Sequence, residues 1–124
     1  MQNKLGLTET QYMIMCYFWE KDCELTTGMV QAHFAENGYP WAIQTVQTFL
    51  EALVKKGALA IKRQGHHKKY YPPMPRLAYA SIWLGQMITQ NFDNGVEDFL
   101  TALAGFRNNM TKDQKEKLNK IWNE

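Results

Sequence analysis

Apolar side chains recur at intervals of three and four residues through the first half of the chain, which is the period of an amphipathic helix. The pattern predicts three helices, at about residues 8–21, 26–37 and 42–56. Thr8 and Gln11 have the spacing of a capping box, in which a hydroxyl and an amide satisfy free N–H groups at a helix start. The first half of the chain is therefore expected to be a three-helix unit with short connections.

One face of each predicted helix is apolar and is expected to point into the core. The expected inward positions are Tyr12, Met15, Cys16 and Trp19 in the first helix, Met29, Val30, His33 and Phe34 in the second, and Ile43, Val46, Leu50 and Leu53 in the third. Gly38 suits a left-handed cap after the second helix, and Gly57 terminates the third. Tyr39-Pro40 breaks the chain between them, because a residue before proline avoids helical geometry.

A short β-hairpin is expected after the third helix. Residues 59–63 alternate weakly and predict a strand, residues 64–67 predict the turn, and residues 69–71 begin the return strand. Any sheet is ended by three prolines, Pro72, Pro73 and Pro75. Three helices with a tight turn between the second and third, followed by a hairpin, predict a winged helix-turn-helix.

Residues 76–91 predict a helix whose apolar side chains cover most of its circumference, so it must be buried on more than one face. Asn94 and Glu97 are expected to cap a fifth helix, and Thr111 and Gln114 repeat the capping-box spacing before a sixth. This region is too short for a robust core of its own, so a second subunit is expected to cover it. The expected dimerisation residues are Leu77, Ile82, Trp83, Leu84, Met87, Ile88, Phe99, Leu103, Leu118, Ile121 and Trp122.

The predicted fold is mainly α with a small β-hairpin: a winged helix-turn-helix domain at residues 1–75, followed by a three-helix dimerisation domain at residues 76–124. A hydrophobic fraction of 45% supports a packed core. No apolar run reaches the roughly 18–20 residues that span a bilayer, and the N-terminus lacks the apolar block of a secretory signal. Cys16 and Cys23 are expected to be reduced thiols, which predicts a cytoplasmic protein without membrane insertion.

Positive charge is concentrated in one part of the chain. Residues 50–75 contain six lysines and arginines against one acid, whereas residues 76–124 contain six of each sign. The basic segment coincides with the predicted hairpin, as a phosphate-facing surface would require. The candidate DNA-contacting residues are Trp41, Gln44, Thr45, Gln47, Thr48, Lys55, Lys62, Arg63, His66, His67, Lys68 and Lys69. The competing interpretations are a solvated helix face for the polar residues and a purely packing role for Trp41.

Catalysis is not expected from this sequence. It has no phosphate-cradling glycine loop and no nucleophile signature. His66 and His67 are adjacent and lack further ligands nearby, which makes a poor metal site. Asp93, Glu97 and Asp98 surround a predicted helix start, where the helix dipole alone favours acids. We therefore predict no enzyme activity, no metal and no cofactor.

Two motifs of the chain resemble the penicillinase-repressor family (BlaI, MecI and CopY type). The first runs from Leu7-Thr8 through Tyr12 to Trp19-Glu20. The second consists of Trp41, Thr45-Val46, Thr48, Leu53 and Lys55-Lys56-Gly57. Phe49 stands where the family has leucine, and Tyr71-Pro72-Pro73 approximates the Tyr-x-Pro end of the family hairpin. The resemblance covers residues 5–75 well and the helical region by length and layout only.

The resemblance implies a homodimer that represses transcription by binding double-stranded DNA at a pseudo-palindromic operator. Two recognition helices related by a two-fold axis would read two half-sites, while lysines of the hairpin contact phosphates. The resemblance to antibiotic-responsive members also implies a further partner, a membrane sensor protease that acts on the helical domain. These members are cleaved at an Asn-Phe bond, but Asn91-Phe92 lies earlier than the family position, and we interpret it as a coincidence.

Two departures from the family pattern affect the expected function. Gln44, Gln47 and Ala52 stand on the third helix where members commonly carry lysine or arginine, which predicts weaker phosphate anchoring or a shifted operator preference. Copper-sensing members have a cysteine-rich C-terminal motif, whereas residues 76–124 contain no cysteine. Copper sensing is therefore disfavoured.

Two other functions remain open at this point. The neutral face of the third helix also suits a winged-helix adaptor that docks on another protein. A ligand-sensing regulator would place a pocket among the aromatic residues of the helical region, Tyr79, Trp83, Phe92, Phe99 and Phe106. Those aromatic residues are better explained as a dimer core.

Overall fold

The computed structural model describes residues 4–123. In chain order its elements are α1 (Glu9–Lys21), α2 (Thr27–Glu36), α3 (Ile43–Lys55), β1 (Ala60–Gln64), β2 (His67–Tyr71), α4 (Arg76–Asn91), α5 (Val96–Phe106), a 3₁₀ turn (Arg107–Asn109) and α6 (Lys112–Trp122). A mostly helical chain with one antiparallel hairpin confirms the predicted fold class, a winged helix followed by helices.

Two helices begin at the capping boxes that the sequence predicts. The Thr8 hydroxyl accepts from the Gln11 backbone N–H at 3.2 Å, and the Gln11 Oε1 accepts from the Thr8 backbone N–H at 3.0 Å. Thr111 and Gln114 repeat this exchange at 3.1 and 2.9 Å. Each cap satisfies N–H groups that have no partner inside the helix and contributes about 1 kcal/mol.

The predicted cap of α5 is wrong. Gly95 occupies the cap position with φ +60° and offers no side-chain hydrogen bond. Asp98 instead reaches back to the preceding turn, where its carboxylate accepts from the backbone N–H of Asn94 at 3.2 Å and from the Asn94 amide at 3.3 Å. A carboxylate at the third helical position also meets the positive end of the helix dipole, so it can replace the expected Asn94 cap.

The core of the winged helix is formed by α1, α2, α3 and the hairpin. Val30, Val46, Leu50, Leu53 and Tyr70 are all fully buried. Two residues that were predicted to face the core are exposed instead: Met29 of α2 is 50% exposed and Ile43 of α3 is 38% exposed. Both lie in the first turn of their helices, where the neighbouring elements no longer cover the side chain.

The buried face of α1 differs from the predicted one. Ile14, Met15 and Phe18 are fully buried, whereas only Met15 of these was expected to be. Tyr12, Cys16 and Trp19 are half-buried because they lie on a second flank of α1. On that flank the Trp19 ring lies 6.0 Å from the ring of Tyr79, so α1 contacts the core on one side and α4 on another.

The hairpin is tighter than the sequence pattern predicted. Gln64 pairs with His67, so the loop is Gly65-His66 and the return strand begins two residues before Lys69. Gly65 has φ +59° while His66 has no positive φ, as in a type II′ turn, whose twist matches that of paired strands. Because of this turn, Gln64 and His67 form a cross-strand pair, whereas the predicted turn over residues 64–67 would have left both in the loop.

The hairpin is anchored to the connection between α1 and α2. The Leu25 N–H donates to the Tyr70 carbonyl at 2.9 Å, and the Tyr70 N–H donates to the Leu25 carbonyl at 2.8 Å. This bridge adds a third backbone segment beside β2 and leaves the hairpin tip as the projecting part. We refer to residues 60–71 as the wing.

By its contacts the chain divides into two compact units, one that ends at Trp83 and one that begins at Leu84. The first half of α4 therefore belongs with the winged helix. Its Trp83 side chain lies 3.0 Å from where a Cβ on Gly6 would stand. The division into functional domains at residues 75 and 76 stays a prediction. Among residues 4–123, no helix is long and apolar enough to cross a membrane.

Candidate DNA-binding surface

The α3 helix has two opposite faces. Val46, Leu50 and Leu53 are fully buried and face the core. Successive residues of an α-helix are rotated by about 100°, which places four other residues on the side directly opposite these three. These residues are Gln44, Thr48, Glu51 and Lys55, all exposed, and we call them the α3 stripe. At a rise of about 1.5 Å per residue, the stripe from Gln44 to Lys55 extends over about 17 Å.

Thr45 and Gln47 flank the α3 stripe and are also exposed. The exposure of the predicted polar face is confirmed for all four of its residues, Gln44, Thr45, Gln47 and Thr48. Their contact with DNA stays a prediction. Glu51 was not among the predicted residues, although its spacing of three from Thr48 and four from Lys55 would have placed it on the same face.

Two polar side chains of this face already have partners. The Thr48 hydroxyl donates to the Gln44 carbonyl at 3.0 Å, which leaves its oxygen as an acceptor. The Gln47 Nε2 donates to Glu51 Oε1 at 3.3 Å, which leaves one N–H and the amide oxygen of Gln47 free to bind. These groups match the donors and acceptors that base edges present in the major groove.

Trp41 fixes the approach to α3. Its ring lies 5.2 Å from each of the rings of Phe34, Tyr39 and Phe49. Its carbonyl accepts from Gln31 Nε2 at 3.1 Å. The packing of Trp41 is therefore observed, and its predicted contact with DNA stays a prediction. Aromatic packing of this kind holds the turn between α2 and α3 in one geometry.

The cations of the wing lie on both of its faces. Side chains alternate along a strand, so Lys62 and Lys69, which are paired across the ladder, share one face, and Arg63 and Lys68 share the other. Lys68 Nζ lies 5.2 Å from the ring centroid of Tyr70. Arg63 is exposed, as are the two histidines of the tip, His66 and His67.

Glu24 offsets the repulsion between the paired lysines. Like charges directly opposite on a ladder destabilise it. Lys62 Nζ lies 3.1 Å from Glu24 Oε2, which neutralises one of the two charges. Both partners of this ion pair are partly exposed, so we expect a contribution of at most about 1 kcal/mol. Lys62 is therefore the wing cation with a competing acidic partner.

Lys56 is directed away from the α3 stripe. Its Nζ donates to the Gln11 Oε1 at 2.6 Å and to the Gly6 carbonyl at 3.0 Å. It thereby ties the end of α3 to the start of α1. Of the two adjacent lysines, Lys55 lies on the α3 stripe and Lys56 supports the fold.

Burial raises the pKa of the hydroxyls of Tyr17 and Tyr79 above the ordinary value for tyrosine. Cys23 and Glu36 raise the pKa of Tyr17 further, through their negative charge. Neither hydroxyl belongs to the α3 stripe or the wing. Within the described part of the chain, no three His, Cys, Asp or Glu side chains are grouped so that they could hold a metal ion. Cys16 and Cys23 are free thiols.

Three clefts of the described part of the chain bear on the expected aromatic pocket. A cleft of about 620 Å³ lies between α1 and the residues leading into α4, with Trp19, Glu20 and Met74 in its wall. A smaller one of about 270 Å³ lies between α5 and α6, lined by Leu100, Leu103, Ala104, Arg107, Leu118, Asn119 and Trp122. A third cleft of about 430 Å³ is lined by Tyr12, Leu77 and Trp83, so it includes one of the five aromatic residues of the ligand-sensing hypothesis. The other four aromatic residues line none of these three clefts, and the predicted aromatic pocket is not formed by them.

The predicted dimerisation residues differ widely in exposure. Five are exposed: Leu77, Ile82, Leu84, Ile121 and Trp122. Five are half-buried: Trp83, Met87, Phe99, Leu103 and Leu118. Ile88 is buried within the chain. Val96 and Leu100 are also exposed and were not among the predicted dimerisation residues. Phe106, one of the aromatic residues expected in a dimer core, is exposed as well.

A winged helix with an exposed polar helix face and a basic hairpin defines the class of winged-helix nucleic-acid-binding proteins. The family model described as Penicillinase repressor matches residues 7–124. The chain belongs to the penicillinase repressor family, whose members are DNA-binding transcriptional repressors. The match extends through the helical region, where the sequence motifs alone had shown only a similar layout. No curated protein matches the chain.

Proposed function

We propose that the protein is a homodimeric repressor that binds a pseudo-palindromic operator, with α3 in the major groove and the wing on the neighbouring phosphates. The observation that carries this proposal is the α3 stripe, which lies directly opposite the buried face of α3. An α-helix fits the major groove, and short polar side chains on its exposed face can reach base edges. The candidate contacts are the residues expected from the sequence, with Glu51 added.

Phosphate binding would come mainly from four cations. Lys55, Arg63, Lys68 and Lys69 are the candidate cations without an acidic partner within the described part of the chain. A dimer would present about eight such charges, which predicts that log K falls with log salt with a slope of about −7. Because the charges of Glu51 and Lys55 cancel on the α3 stripe, we expect the salt-dependent part of the binding free energy to come mainly from the wing.

Dimerisation would place two α3 helices on one side of a duplex. Exposed apolar side chains on α5 and α6, such as Leu100, Phe106 and Trp122, offer surface for a second copy. Large exposed apolar patches commonly mark such contacts. Reading two half-sites requires the two helices to lie about 34 Å apart, one turn of DNA.

A sensor protease is supported only by the family membership. The Asn91-Phe92 bond lies at the end of α4, where the Phe92 N–H still donates to the Ile88 carbonyl at 3.0 Å. Proteases prefer exposed loop tips, so cleavage at this bond would require the last turn of α4 to unwind. We therefore propose no cleavage at Asn91-Phe92.

The proposal is tested by binding of the full-length chain to duplex DNA from upstream of its own coding region. Fluorescence anisotropy at several salt concentrations gives the affinity and the salt slope. Charge reversal of Lys68 and Lys69 together is expected to abolish binding, because it removes two wing cations per protomer and adds two anions. The matched control is charge reversal of Lys112 and Lys120, which are exposed on α6.

Sedimentation of the same variants would show whether the dimer survives. Binding that is lost only in the wing variant supports the proposal. Absence of duplex binding by the unaltered chain, even at low salt, would contradict it and leave the protein–protein adaptor as the better hypothesis.

A further inference from the structure

We propose that Glu51 is a specificity-determining residue, whose carboxylate requires an amino-bearing base, cytosine or adenine, opposite it in the major groove. This inference rests on the proposed function, because it needs α3 to lie in the groove. It concerns the one acidic side chain of the α3 stripe.

Glu51 lies in the middle of the surface that would meet the bases. Its position is bracketed by Thr48 on one side and Lys55 on the other, and its side chain is exposed. An acid anywhere on a DNA-facing surface repels phosphates and weakens binding. Its presence at the centre of the α3 stripe therefore has a cost in affinity, which a gain in selectivity would offset.

The carboxylate is oriented by a neighbouring amide. Gln47 Nε2 donates to Glu51 Oε1 at 3.3 Å, one helical turn away. This hydrogen bond uses one acceptor position of Glu51 Oε1 and leaves the other oxygen, Oε2, able to accept from a ligand. Gln47 keeps its amide oxygen and one N–H, which is the pair of groups that binds adenine.

Base edges divide into two classes for such a group. Cytosine and adenine present amino hydrogens in the major groove, whereas guanine and thymine present acceptor oxygens there. An ionised carboxylate can only accept hydrogen bonds, so it pairs with the first class and is repelled by the second. Because every base pair contains one base of each class, Glu51 would fix the orientation of one base pair in each half-site.

Replacing Glu51 with glutamine separates this role from that of a solvated surface acid. An amide both donates and accepts, so E51Q can face either class of base. We expect E51Q to lose about fivefold to tenfold of discrimination at a single position of each half-site. It should also bind unrelated duplex more tightly, because one negative charge per protomer is removed.

The experiment is selection of the full-length chain on randomised duplexes, with sequencing of the bound DNA. The variants are wild type, E51Q and the control E20Q, which removes another exposed acid, at the end of α1. The inference predicts one position that accepts only cytosine or adenine in wild type and E20Q and loses this restriction in E51Q. Thermal unfolding of each variant checks that the fold is unchanged.

Three results would overturn the inference. The first is an E51Q base profile identical to that of wild type. The second is a loss of preference spread evenly over all positions. In both cases sequence-selective binding by wild type leaves the proposed function intact. The third is a wild-type chain that selects no sequence at all, which would remove the proposed function together with this inference.

Discussion

Lys55 and Lys56 are adjacent in sequence, yet the structure predicts opposite consequences for replacing them. Lys55 lies on the α3 stripe, whereas the Lys56 ammonium donates to Gln11 Oε1 and the Gly6 carbonyl. Replacement by methionine keeps most of the side-chain length and removes the charge. We expect K55M to weaken DNA binding without affecting the fold, and K56M to weaken the fold without a direct effect on phosphate contacts.

The size of the Lys56 effect follows from its two hydrogen bonds. Hydrogen bonds of a charged group contribute about 1.5–3 kcal/mol each when buried. Lys56 is exposed, so solvent screening reduces the total for both to about 1–2 kcal/mol. Gln11 also completes the α1 capping box, so losing its partner would loosen that cap as well. For a domain of this size the melting temperature should fall by about 4 °C or more.

The size of the Lys55 effect follows from counterion release. Each lost phosphate contact reduces the salt slope by about 0.9, so a dimer of K55M would lose about 1.8. Circular dichroism melts and anisotropy titrations over a range of salt concentrations measure the two quantities on the same samples. A K56M variant that melts like wild type but loses salt slope would refute this division of roles, as would a destabilised K55M with an unchanged slope.

Three other perturbations have clear expected outcomes. Leu50→Ala should lower the free energy of unfolding by about 2–5 kcal/mol in urea titrations, because it opens a cavity in the core, while Met29→Ala on the exposed first turn of α2 should cost less. Thr8→Ala should lower the free energy of unfolding by about 1 kcal/mol through loss of the α1 cap. A decrease below a few tenths of a kcal/mol would contradict a stabilising role for this capping box. The raised pKa of Tyr17 means that the folded chain holds this proton more tightly than the unfolded chain. The contribution of the Tyr17 proton to stability is therefore fully present below pH about 10, the ordinary tyrosine pKa, and is lost as the pH rises further. Tyr17→Phe should make the loss of melting temperature between about pH 8 and 11 shallower.

Helix positions were predictable because their signals are local. The Thr8 and Thr111 capping boxes lie within one turn of the helix starts they define, and Gly38 and Gly57 adopt the positive φ angles expected at helix ends. The apolar period of α3 likewise identified its buried face and, by geometry alone, the exposed face opposite. These features depend on residues a few positions apart, so no tertiary information was needed.

Features that depend on distant residues were not predictable. Lys56 was counted among the six basic residues of positions 50–75, and only the structure shows that it binds Gly6 and Gln11, 50 and 45 positions away. The second buried flank of α1 exists because Tyr79 packs beside Trp19. Lys62 has Glu24 as a partner only because the bridge between Leu25 and Tyr70 brings the wing beside the α1–α2 connection.

The order of elements, the caps of α1 and α6, the winged-helix class and the family could all be predicted from neighbouring residues, because periodicity, turn chemistry and motif spacing are local signals. Which polar groups remain available for a ligand could not be predicted in this way and became clear from the folded chain. That outcome depends on which side chains a fold brings within hydrogen-bonding distance, and a charge already bound inside the protein is lost to any partner outside it.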